Sequence, residues 1–111
     1  MDVLPEPVRE VVLELRSRLK DLYGKRFRGL LLYGSYARGE AWQGSDVDLL
    51  LLLEGPVNAA REVLATEPVV WPLALASGLV LSLIPADDGA YQRGAGIFLR
   101  TIRKEAIPVA A

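Results

Sequence analysis

The sequence contains no cysteine and no histidine. Without thiols there is no disulfide scaffold and no thiolate nucleophile. Without imidazole there is no ordinary zinc site and no histidine general base. An excess of one charge is also lacking. Thirteen Lys and Arg against 14 Asp and Glu leave a net charge of −1, which argues against nucleic acid or a membrane surface as the partner. Long apolar runs are scarce too: the longest, WPLALASGLVLSLIPA, is broken by Gly78 and Pro85 and falls short of the ~20 residues of a membrane helix. The N-terminus, MDVLPEPVREVV, has charges and two prolines and does not read as a signal peptide. A cytoplasmic protein without membrane association is expected. Its chemistry must rest on carboxylates, hydroxyls, basic side chains, backbone groups or a hard metal ion.

What is present suits a single domain, residues 1–111, with about half of its residues apolar. Basic residues gather in two places, Arg16 to Arg28 and Arg93 to Lys104, and read as solvated faces, with polyanion contact the alternative. From Pro7 to Leu22 apolar residues recur every three or four positions, an amphipathic helix ended by Gly24. FRGLLLY (27–33) reads as a strand, SYARG as one or two helical turns, and EAWQGS as a loop. DVDLLLLLE (46–54) reads as a strand covered on both faces. Two helices are expected next, VNAAREVLA and then TEPVVWPLALAS, the second capped by Thr66. A third strand, 79–84, should stop at Pro85. A helix over GIFLRTIRKEA and an edge strand or tail at IPVAA complete the chain. The class is α/β (α+β): a small mixed sheet of three or four strands flanked by helices.

The stretch LLLYGSYARGEAWQGSDVDLLLLL carries the chemistry. Gly34 ends a strand, where the lack of a Cβ permits close backbone approach. Ser35, if it opens a helix, offers backbone N–H groups and a hydroxyl to an anion. Asp46 and Asp48 alternate in a strand, on one face, with Cα atoms roughly 6.6 Å apart. Two such carboxylates repel, and a hard divalent cation such as Mg²⁺ resolves the conflict. A lone Gly-Ser is usually a turn, and a lone Asp-x-Asp is usually solvated. Each at the end of an apolar strand, joined by a short polar link, together suggest a metal–phosphate site. Arg38 either neutralises phosphate there or is simply solvated. Tyr33 and Tyr36 read as packing residues.

GSYARGEAWQGSDVDLLLLL resembles the signature of the polymerase-β-like nucleotidyltransferase superfamily: Gly-Ser, ten residues, then Asp-x-Asp. Its wording is similar to that of the minimal nucleotidyltransferases, and FLRTIRKEAIPV resembles their closing segment, with Ala106 where glycine is usual. The resemblance implies the nucleotidyltransferase fold, Mg²⁺, a nucleoside triphosphate such as ATP, and transfer of a nucleotidyl group to a hydroxyl. Carried onto this chain, it gives Gly34 and Ser35 the triphosphate, and gives Asp46 and Asp48 the metal and the catalysis. It also implies a small helical HEPN-type partner in a toxin–antitoxin pair, neutralised in some cases by AMP transfer, and self-association into a homo-oligomer is compatible with it. One departure stands out. Active members carry a third carboxylate on the following strand, where this chain has only Ser82, a small residue that reads as sheet packing. Asp87 lies up to roughly 16 Å further along and reads, with Asp88, as a turn or helix cap. The alternative to an enzyme is therefore a binding module that neutralises its partner by complex formation.

Overall fold

The computed structural model describes residues 1–110; Ala111, the end of the expected IPVAA segment, lies outside them. Helix α1 spans Glu6–Tyr23, and a short 3-10 turn, Gly24–Arg26, leads into strand β1, Phe27–Tyr33. Strand β2 is Val47–Leu53, helix α2 Ala59–Ser77, strand β3 Leu81–Asp87, helix α3 Asp88–Arg93, helix α4 Gly96–Arg103 and strand β4 Ile107–Pro108. The strands form one mixed sheet in the order β3-β2-β1-β4. β1 is antiparallel to both β2 and β4, whereas β2 and β3 run parallel.

The leucine run is apolar on both faces because β2 lies inside the sheet with helices above and below. Val47, Leu49, Leu51 and Leu53 pack with Val8, Val12, Leu15 and Leu19 of α1. Leu50 and Leu52 pack on the opposite face with Ile102 of α4. Each fully buried leucine contributes about 2 kcal/mol of hydrophobic stabilisation. Among the described residues, no helix is long and apolar enough to cross a membrane.

Three expectations are corrected. Residues 59–77 form one helix, not two, and Thr66 is no cap: it is buried in mid-helix and its hydroxyl donates to the Val63 carbonyl at 3.1 Å. The cap is Asn58, whose side chain accepts the Arg61 N–H. Pro68 and Pro72 are tolerated because both lie on the exposed side of α2, where water can solvate the carbonyls they leave unpaired. Strand β3 does not stop at Pro85 but runs through it to Asp87. The Val80 carbonyl accepts from Val47, so alternate residues from Val80 turn their backbone towards β2. Pro85 falls on the other set, and its missing N–H faces the open edge. The SYARG segment, finally, makes one turn of the one or two expected, and no regular helix follows, so Ser35 does not open one. Arg38 N–H donates to Gly34 O at 3.1 Å, and Glu40 N–H then reaches back to Ser35 O at 2.9 Å.

Candidate active site

The sheet decides which expected residues meet. Asp48 shares the β2 face of Leu50 and Leu52, towards α4, and is paired with Tyr33 at the end of β1. The next residue, Gly34, has φ +78°, a left-handed conformation that disfavours a side chain. A Cβ there would sit on the Asp48 carboxylate, 3.0 Å from its Cγ. The glycine is needed for close approach, and what it approaches is this aspartate. Tyr33, Gly34, Ser35, Arg38 and Asp48 line a cleft of about 420 Å³, closed on its far side by Phe98, Thr101, Ile102 and Glu105.

Asp46 is exposed, stands just before β2 and is not part of the cleft lining. Its charge nevertheless reaches Asp48. Burial first, and then Asp46, push the Asp48 carboxyl above its ordinary pKa, while Arg38 pulls it down. Mutual repulsion between two oxygen ligands is the conflict a hard cation relieves. Asp46 and Asp48 supply two carboxylates, the ligand type such an ion takes. Among the described residues no group of three or more potential ligands comes together, so phosphate oxygens and water would have to supply the rest of a shell.

Ser35 is half-buried, and its hydroxyl makes no hydrogen bond among the described residues. With no helix behind it, anion attraction rests on local N–H groups rather than on a helix dipole. Arg38 is committed to acids: its Nε donates to Glu40 at 2.8 Å and its Nη1 to Glu105 at 3.1 Å. These partners push its pKa up, the hydrogen bond to Glu40 most. Tyr36 is core, as expected. Tyr33 is more than packing: it lines the cleft, edge-on to Phe98 with ring centroids 6.3 Å apart. Burial, then the Asp48 and Glu105 charges, push its hydroxyl pKa up.

In the parallel register Ser82 lies directly beside Asp48, and Asp87 lies at the far end opposite Leu53. Asp87 caps α3, accepting the Ala90 N–H at 3.3 Å. The position where a third acid would stand beside Asp48 is thus serine in space as well as in sequence. Glu105 was the unexpected arrival. No spacing rule ties it to Gly34, 71 residues away, although it belongs to the closing segment noted above.

Residues 12–93 match the model of the nucleotidyltransferase domain family. The chain is 49% identical over 51 residues, 44% of its length, to a bifunctional uridylyltransferase/uridylyl-removing enzyme of Bordetella pertussis, of which that covers 6%. It is 37% identical over 43 residues, 39% of its length, to a candidate protein adenylyltransferase of Methanocaldococcus jannaschii, covering 43% of that protein. The chain thus spans less than half the length of either relative. A crystal structure of a toxin–antitoxin with AMP-PNP shares the fold at a TM-score of 0.60 and 18% identity, over 96% of this chain and 74% of that one. A family match over most of the sequence, on a mixed sheet that sets the Gly34-Ser35 turn against Asp48, leads to one conclusion: the chain belongs to the nucleotidyltransferase domain family.

Proposed function

We propose that this chain is a Mg²⁺-dependent nucleotidyltransferase that moves AMP from ATP to a hydroxyl of a protein partner, and that it serves as antitoxin to a helical HEPN-type toxin. The observation that carries this reading is the contact of the Gly34 turn with the Asp48 carboxylate, which sets the turn and this acid on one cleft of about 420 Å³. Kinship with a candidate protein adenylyltransferase and a fold shared with a toxin–antitoxin support the choice of acceptor and partner. In this reading Ser35 binds the triphosphate, and Asp46 and Asp48 hold the metal, which would neutralise charge developing on the phosphates. The acceptor oxygen forms its bond to the α-phosphorus as pyrophosphate leaves. Incubation of the chain with its partner, labelled ATP and Mg²⁺ should label the partner, and Asp46→Asn should abolish the label. No transfer, with Asp46→Asn indistinguishable from wild type, refutes the enzyme.

Ser82 beside Asp48 favours a second reading, in which the domain neutralises its partner by complex formation alone. A hydroxyl cannot replace a carboxylate as base and is a weak Mg²⁺ ligand. Under this reading the Asp46→Asn/Asp48→Asn double variant still binds and neutralises the partner. A complex that forms without neutralising excludes it.

A further inference from the structure

Two charged cleft residues, Arg38 and Glu105, have no place in the scheme above, and Arg38 is held by Glu105. The glutamate stands in the turn between α4 and β4, where the Glu105 and Ala106 N–H groups both donate to the Ile102 carbonyl, at 3.0 and 2.9 Å. Ile107, two residues on, pairs with Leu32 of β1. Backbone hydrogen bonds on both sides therefore deliver its carboxylate to the end of β1. There it accepts the Gly34 N–H at 2.5 Å and Arg38 Nη1 at 3.1 and 3.2 Å. Two of the three groups that the sequence pattern offers to a triphosphate are thus already bound to an acid of the same chain. Ser35 alone carries no such commitment.

We infer that Glu105 is a positioning residue of the nucleotide site, a brace that fixes the Gly34 N–H and Arg38 so that Ser35 is presented to the phosphate ready-formed. The inference rests on reading the cleft as a nucleotide site. Its physical basis is the strength of hydrogen bonds to an ionised acceptor, about twice that of neutral ones. Gly34 has a positive φ and no side chain of its own to hold it, so the turn against Asp48 is fixed from outside. A turn fixed in advance leaves less ordering to be done when nucleotide binds. Arg38, neutralising Glu105 and Glu40, is then part of the brace and not a phosphate ligand. The opposite arrangement, in which phosphate displaces Glu105 from these donors, predicts the opposite sign.

The test compares the full-length wild type with Glu105→Gln and Glu105→Asp, following the Gly34 amide by ¹⁵N NMR and Mg–ATP binding by calorimetry. In Glu105→Gln the Gly34 amide should move upfield and exchange faster with solvent. Mg–ATP affinity should fall about tenfold or more, as when supporting partners of site residues are removed. Glu105→Asp, which keeps the charge on a shorter arm, should lie between the two, and it decides the question if the glutamine variant does not fold. Unchanged or tighter Mg–ATP binding overturns the inference, as does a Gly34 amide that the substitutions leave unmoved. A wild type that binds no Mg–ATP removes the nucleotide reading itself, while the amide comparison still decides whether the brace exists.

Discussion

Asp48 is held under opposing demands. It lies on the apolar face of β2 and feels the charge of Asp46, and only Arg38 works in its favour. Its pKa in the fold is therefore above the ordinary value of 3.8. Between those two values the folded chain binds more protons than the unfolded one, so stability falls as pH rises through that window. Above the window the whole electrostatic cost is present. Asp48→Asn should accordingly raise the thermal midpoint at pH 7 in magnesium-free buffer, and the gap should narrow as pH is lowered through that window towards 3.8. A variant no more stable than wild type at pH 7 would contradict the assigned strain. Asp48 stood out in the sequence because its Asp-x-Asp opens a leucine run one short polar link after Gly34-Ser35. Its contact with Gly34 did not, since a glycine before a serine has the same appearance whether it faces a ligand, a carboxylate or water.

At the scale of elements, α1, β1 and β2 follow from the local apolar pattern alone, to within a residue or two. The apolar residues of α1 recur at the helical period and face one core, and the unbroken apolar runs of β1 and β2 mark strands covered on both faces. Helix α2 and strand β3 do not follow in this way, because proline was read as a break in both. In α2 the face bearing Val69, Val70 and Leu73 packs on the core, and that burial outweighs two absent hydrogen bonds on the wet side. Replacing Pro72 with alanine restores an N–H to the helix, against about 3 kcal/mol for proline in a helix interior and up to about 1 kcal/mol lost by freeing the unfolded chain. Pro72→Ala should thus stabilise the protein by about 1 kcal/mol or more, seen as a higher urea midpoint at unchanged slope. A lower midpoint would mean that the proline ring contributes packing that its exposed position does not suggest.

Across the whole molecule, the central position of β2 sets the largest contrast in sensitivity. Leu51 is wholly buried between two strands and beneath α1, so Leu51→Ala should cost about 2–5 kcal/mol. On α2, Leu64, Trp71 and Leu75 are each at least 64% exposed, so their apolar character contributes little to the isolated fold. Leu75→Lys should stay within about 0.5 kcal/mol of wild type in the same urea titration. A loss comparable to that of Leu51→Ala would show that this side of α2 is covered in solution.

The sequence by itself determined the fold class and the strands that flank the polar insert, and it named Gly34, Ser35, Asp46 and Asp48 as candidates. Local periodicity and the cost of placing charge beside leucine are written in neighbouring residues. Only the tertiary structure decided that Ser82 stands beside Asp48, that Pro85 belongs to an edge where its missing N–H costs nothing, and that Glu105 reaches Gly34. Each of those facts depends on strand order and register. These are set by packing between segments far apart in the chain and leave no trace in the spacing of either one.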